Sequence, residues 1–312
     1  MAGIGEMYRV LGRYRTWAKV PIPGLKKEAP TVRRRIVDEV VDLFAAGYNA
    51  ALERSPTELC QQIGDIPHLQ KAVMLEGACM ALASADMASG GNCERLQEFL
   101  QVSPEYEIAV NEGVGHALCQ QRLPVRFGQH ASDSFWGWMA LDGYGMHAAY
   151  FRWPTFVIGQ KVPEHLDELG RAGFDNGVGR GLWFASGAEP RVVRGLIERF
   201  PHERRPNIWS GVGMMVAFWG AAEPADMRKL LRMSGKYRFW FQQGVAFSLV
   251  GRARANDCPD FTHAAASLVC GGALSEALDL TNSCLAALEV PPTTPESFNN
   301  WRVQTMNAFA TV

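Results

Sequence analysis

A glycine-centred segment recurs along this chain at an interval of about 34 residues, and no other feature limits the fold so tightly. Each copy is a polar or small residue, a glycine, then a small or aliphatic run. The copies begin at Ala46-Gly47-Tyr48, Glu76-Gly77-Ala78, Glu112-Gly113-Val114, Asp142-Gly143-Tyr144, Asn176-Gly177-Val178, Ser210-Gly211-Val212 and Gln243-Gly244-Val245. Successive lead glycines are 30, 36, 30, 34, 34 and 33 residues apart. A second signature follows several copies: Ser55-Pro56-Thr57-Glu58, Val162-Pro163-Glu164, Glu189-Pro190-Arg191, Glu223-Pro224-Ala225 and Cys258-Pro259-Asp260. Proline suits the first turn of a helix, where its missing N–H costs nothing, and acidic neighbours favour that positive end. The apolar residues beyond it keep helical spacing, as in Val192, Val193, Leu196 and Ile197.

These signals predict an all-α fold: about seven helical-hairpin units with a tetratricopeptide-like period, forming an α/α solenoid or toroid. Residues 36–312 are expected to form one helical-repeat domain, preceded by an arm over residues 1–35. Glycine inside a helix costs about 1 kcal/mol against alanine, so seven such glycines need a compensating gain. Close approach of neighbouring helices along a stripe without side chains supplies one. Room for a ligand against bare backbone is the alternative.

In-register stacking would align the residues that precede the lead glycines. Six of the seven are polar: Glu76, Glu112, Asp142, Asn176, Ser210 and Gln243. They form a ladder that either faces water or lines a polar cavity. Glu112 and His116, and likewise Asn176 and Arg180, are four apart and share a helix face. Asp142 precedes His147 by five residues, and Asp175 precedes Arg180 by five. A carboxylate beside an imidazole in an apolar wall can transfer protons; a structural hydrogen bond between units is the plainer use. Aromatic residues crowd the same stretch, with Tyr144 and Trp209 next to the ladder and Trp183 close by. Most of them are expected to be core.

The run Leu141-Asp142-Gly143-Tyr144-Gly145-Met146-His147, then Phe174-Asp175-Asn176-Gly177-Val178-Gly179-Arg180-Gly181-Leu182-Trp183-Phe184 and Ile208-Trp209-Ser210-Gly211-Val212-Gly213, resembles the family called domain of unknown function 1702. Leu75-Glu76-Gly77 and Phe44-Ala45-Ala46-Gly47-Tyr48 fit its earlier segments, so the resemblance spans roughly residues 35–290. It implies a bacterial protein of specialised-metabolite clusters, enediyne clusters among them, handling an apolar intermediate. It implies no particular reaction.

Two functions fit. The first is a cofactor-independent cyclase or isomerase acting on an apolar polyene or isoprenoid. Asp142, Asp175, Glu112 or Glu76 would donate a proton, and His116 or His147 would accept one. Tyr144, Trp183 and Trp209 would stabilise developing positive charge, and Arg180, Asn176, Ser210 and Gln243 would bind polar groups. The second is a non-catalytic repeat scaffold or ligand carrier that presents a groove to a carrier domain or a partner enzyme.

The remaining signals bound these readings. Formal net charge is −1, which gives no electrostatic case for nucleic acid. The arm is the exception, with Arg9, Arg13, Arg15, Lys19, Lys26, Lys27 and Arg33 to Arg35 against only Glu6 and Glu28. It reads as a solvated arm or as a docking site for an acidic partner or diphosphate. No apolar run of membrane-spanning length and no signal peptide is visible, which predicts a cytoplasmic protein. Seven scattered cysteines without a CxxC pair suggest reduced thiols. No cofactor is expected. Asp38, Glu39 and Asp42 resemble an aspartate-rich magnesium helix, but no second metal motif accompanies them.

Overall fold

A computed structural model describes residues 32–311, apart from 65, 67, 91–92, 129–131 and 290. Most of the basic arm therefore lies outside the described residues. Among the described residues the fold is all-helical, with fourteen α-helices and no strand. They are α1 (Val32–Glu53), α2 (Pro56–Gly64), α3 (His68–Ala88), α4 (Glu94–Val102), α5 (Glu107–Gln121), α6 (Trp138–Phe151) and α7 (Glu168–Ala185). After them come α8 (Pro190–Ile197), α9 (Arg205–Phe218), α10 (Pro224–Ser234), α11 (Arg238–Arg254), α12 (Asp260–Ala265), α13 (Leu274–Ala286) and α14 (Pro295–Thr311). No helix among the described residues is long and apolar enough to cross a membrane.

The lead glycines sit in α1, α3, α5, α6, α7, α9 and α11, and these helices pack side by side in chain order. The glycines explain how closely. A β-carbon on Gly143, Gly177, Gly211 or Gly244 would lie 2.2, 1.9, 1.9 and 1.9 Å from the carbonyl oxygen of Glu112, Asp142, Asn176 and Ser210 respectively. Each of these four lead glycines thus rests on the backbone of the ladder residue one helix earlier. The second glycine of each Gly-X-Gly answers in the other direction. Gly115, Gly145, Gly179 and Gly213 face the carbonyls of Ala140, Phe174, Ile208 and Phe241, each three residues before the next lead glycine. Every interface from α5 to α11 therefore carries two reciprocal glycine–carbonyl contacts, close enough for Cα–H···O attraction. The α1–α3 interface uses a shifted register, Gly47 on Met74 and Gly77 on Phe44. This accounts for the absence of a second glycine in those two copies.

The short helices match the proline signature in part. Pro56, Pro190 and Pro224 each open a helix, and Ser55 and Glu58 exchange backbone and side-chain hydrogen bonds as a capping box at the start of α2. The expected helix at Pro163 is absent: residues 164–165 form a turn, and α7 begins at Glu168, capped by Asp167. The described part of the α5–α6 connection holds no α-helix, so not every unit is a hairpin.

The final helix stands outside the glycine pattern. Phe298 and Trp301 of α14 pack on Phe135, just before α6, and on Phe247 of α11. Phe298 also stacks on Trp138 at 4.8 Å. Beyond the proline-marked α1–α2 link, α1 reaches across to distant elements. Arg33 lies 3.1 Å from both Glu189, ahead of α8, and Asp226 in α10.

Candidate functional site

The ladder residues face inward. Glu76, Glu112, Asp142, Asn176, Ser210 and Gln243 are all buried, whereas Ala46, the one apolar member, is exposed. Burying six polar groups in a row is tolerable only if they satisfy one another, and they do. Asn176 donates its amide to Asp142 Oδ2 at 2.5 Å. The Ser210 hydroxyl lies 2.7 Å from Asn176 Oδ1 and 2.8 Å from Gln243 Oε1. Arg302 of α14 donates Nη2 to Asn176 Oδ1, Asn207 Oδ1 and Ser210 Oγ at 3.1 to 3.2 Å. Burial pushes the Arg302 guanidinium down to about 9, with Asp142 opposing.

At the other end the ladder becomes ionic. Arg180, one turn beyond Asn176, hydrogen-bonds Asp142 Oδ1 and Glu112 Oε1, the latter at 2.6 Å, and lies 3.6 Å from Glu76 Oε1. Three carboxylates from three different helices therefore share one guanidinium. Burial works against the charge on Arg180, yet Glu112, Asp142 and Glu76 together hold it more firmly protonated than an ordinary arginine. The acids divide. Burial raises Glu112 well above the carboxylate range, and the charges of Glu76 and Asp142 add to this against Arg180. For Glu76, burial is outweighed by Arg180 and His116, so its carboxyl is lowered. Neighbouring acids pushed apart in this way are suited to different proton roles.

His116 joins the cluster from α5. It pairs with Glu76 Oε1 at 2.8 Å through Nε2, and its Nδ1 lies 3.3 Å from Nδ1 of His147. Burial, with help from His116 and Arg152, pushes His147 well below its ordinary range, so it is neutral at pH 7. Glu76, His116 and His147 thus form a buried line across α3, α5 and α6.

This line borders a cleft. Glu76 and His116 lie among Val40, Val41 and Phe44 of α1, Val73 of α3, Met146, Tyr150 and Phe151 of α6, Phe184 of α7 and Trp219 beyond α9. The cleft measures about 450 Å³ with its open mouth, and about 40 Å³ of it is open to the centre of a water-sized sphere. The smaller figure sets what enters without movement, about three waters. Anything larger displaces part of the wall, and α1 supplies three of its apolar residues.

Not every residue expected at the site joins it. Asp175 points to a different side of α7 from Asn176 and is clamped by Arg204, with Nε 2.9 and 3.1 Å from its two oxygens. Burial raises its pKa despite Arg204. It neighbours the ladder in sequence only, because one residue turns a helix by about 100°. Trp183, Trp209 and Tyr144 are buried but do not line the cleft: Trp209 packs on Phe241, and Tyr144 on Phe174 and His165. Tyr144 stands two positions past a ladder residue, so it points away from that face. The aromatic residues that do line the cleft carried a signal of their own. Tyr150, Phe151, Phe184 and Trp219 each fall eight or nine residues after a ladder residue.

Among the described residues, no group of three or more His, Cys, Asp or Glu side chains is placed to hold a metal. Glu39 and Asp42 are exposed on the outer surface of α1, with Asp38 half-buried beside them and Arg35 in the same shallow depression. All seven cysteines are free thiols; Cys79 and Cys119 are fully buried.

A family model matches residues 9–309, and so takes in most of the basic arm that the resemblance over 35–290 left outside. No curated protein and no solved structure matches the chain. The chain belongs to the family described as protein of unknown function (DUF1702).

Proposed function

We propose that this protein is a cofactor-independent isomerase or cyclase that moves protons on an apolar intermediate, with Glu76 as the cleft-side base. The observation that carries this reading is the pairing of Glu76 with His116 at 2.8 Å in an otherwise apolar and aromatic cleft. Arg180 and His116 hold Glu76 ionised, and among the described residues its contacts fall on Oε1 alone. A carboxylate with one oxygen committed and the other unclaimed, in surroundings of low polarity, is a stronger base toward a substrate C–H than the same group in water.

The step balances without a redox partner. A proton passed from the buried cluster adds to one carbon of the conjugated system and leaves positive charge on carbon. Glu76 then takes a proton from another carbon, whose C–H bond electrons form the new double bond. His116 and His147 share the proton between these events. Glu112, which retains its proton, is a reservoir one guanidinium away. The finer architecture belongs to the same proposal: about seven glycine-bearing units that curl so that α1 and the segment after α9 meet at one cleft. The association with enediyne and other specialised-metabolite clusters, and a cytoplasmic setting, also fit such a role.

The scaffold alternative needs the ladder as a recognition surface. Six buried ladder side chains cannot contact a peptide, which favours the enzyme reading. Native mass spectrometry of protein purified from its producer, followed by incubation in D₂O, tests it. The expected result is a retained apolar molecule that gains deuterium at carbon in the wild type and not in Glu76→Gln. An empty protein that carries a partner enzyme or carrier domain, unaffected by Glu76→Gln, would refute it.

A further inference from the structure

Resting on the reading of this cleft as the reaction site, we infer that it is built for a ligand bearing positive charge, so that the species processed there carries that charge on carbon during turnover. Among the described residues the cleft wall holds no lysine or arginine. Five of its eleven residues are aromatic: Phe44, Tyr150, Phe151, Phe184 and Trp219, drawn from four separate places in the chain. Its one carboxylate is Glu76. Aromatic rings gathered around a carboxylate attract an organic cation by ring quadrupole and by direct charge, and both effects strengthen where water is excluded.

The geometry behind the wall points the same way. Glu76, Glu112 and Asp142 converge on Arg180. Glu112 and Asp142 hold its guanidinium at hydrogen-bond distance whereas Glu76 lies 3.6 Å away, so the acid that meets the cleft is the one Arg180 holds least closely. Arg180 does not itself line the cleft. Glu76 is already buried, so a neutral hydrocarbon gains nothing from its charge, whereas a cation is attracted by a carboxylate that water no longer screens. The cleft therefore discriminates by charge, and not only by apolar fit.

Choline and 3,3-dimethylbutan-1-ol test this directly, because they share size and shape and differ in a charged nitrogen against a neutral carbon. Both exceed the room that three waters would fill, so each asks the same displacement of the wall and that cost cancels in the comparison. Binding is followed by NMR titration of the intact chain, with circular dichroism confirming the fold of each variant. Choline is expected to bind about tenfold or more tighter than the alcohol. Glu76→Gln is expected to erase most of that preference while leaving affinity for the alcohol unchanged. Trp219→Leu, just beyond α9, is expected to weaken choline selectively. Equal affinity for the two probes, or no binding of choline, would overturn the inference. Deuterium exchange at carbon in the retained molecule is a separate result. Its presence alongside equal probe affinities would leave proton transfer standing through a neutral or anionic intermediate, and its absence alongside choline selectivity would leave a cation receptor without turnover.

Discussion

The carbonyl oxygen of Asn176 lies 1.9 Å from the point where a β-carbon on Gly211 would stand. Real β-carbons do not approach backbone this closely, so any side chain at 211 forces α7 and α9 apart. Gly211→Ala is expected to destabilise the fold by about 2–3 kcal/mol, the usual size of an overpacking penalty. Gly195, exposed in α8 with nothing within 4 Å of its would-be β-carbon, is the control. Gly195→Ala is expected to stabilise by up to about 1 kcal/mol through helix propensity. Denaturant unfolding of the two variants gives both signs in one experiment.

Arg180 makes the opposite kind of contribution, since its removal would leave three carboxylates facing one another without a counter-charge. Arg180→Met is expected to cost about 3–5 kcal/mol. Arg180→Lys keeps the charge but loses the fork that reaches Glu112 and Asp142 together, and should fall between wild type and Met. Adding Glu76→Gln to Arg180→Met should recover part of the loss, a non-additivity that a double-mutant cycle reads directly.

Stability should depend on pH through two groups of opposite sign. Glu112, raised above its ordinary value of 4.5, holds its proton more tightly folded than unfolded. Its contribution is full below that value and is lost as pH rises through the raised one. His147, lowered below its ordinary 6.5, favours the neutral form when folded. Its contribution is full above 6.5 and is lost as pH falls through the lowered value. Each slope has a ceiling of about 1.4 kcal/mol per pH unit. Glu112→Gln should flatten the loss on the alkaline side, and His147→Asn the loss on the acid side. Unfolding free energies measured across pH 4–9 check both; unchanged slopes would show that these groups do not set the profile.

The first turns of α1 are held to the body by Arg33, against Glu189 and Asp226, and the same helix walls the cleft. These ion pairs are partly exposed, so screening limits them to about 1 kcal/mol or less. Arg33→Ala is expected to speed amide exchange in the N-terminal half of α1 by up to about fivefold and to leave α6 and α7 unaffected. Raising the salt should reproduce the effect in the wild type.

Helical class, the positions of the glycine-bearing helices and the membership of the ladder were legible in the sequence because they rest on periodicity. A polar residue before a glycine, copied six times, is a pattern that local chemistry cannot disguise. The pairing partners were not legible, because they cross helices. Glu112 and His116 share a face, yet His116 bonds Glu76 on the preceding helix. Asp175 and Asn176 are adjacent, yet Arg204 claims the first and the ladder keeps the second. Tyr150, Phe151, Phe184 and Trp219 lie at or beyond helix ends, away from the glycine run, so nothing in the sequence but their distance from the ladder set them apart from the aromatic residues of the core. The role of α14 had no repeat signal at all: Arg302 enters the polar row from outside the pattern.

The glycine–carbonyl contacts carry a consequence for how such an interior can change. The contacts made by Gly143, Gly177, Gly211 and Gly244 each use the backbone of a ladder residue and leave its side chain out of the fit between helices. Spacing and chemistry are thereby assigned to different atoms of the same residue. An exchange at one of these positions rewrites a single slot of the polar row while the helices keep their separation. Inserting one residue into a glycine-bearing helix would instead swing everything beyond it by about 100° and misplace the remaining slots. Substitution is the permitted edit along the row, and changes of length belong to the links between helices.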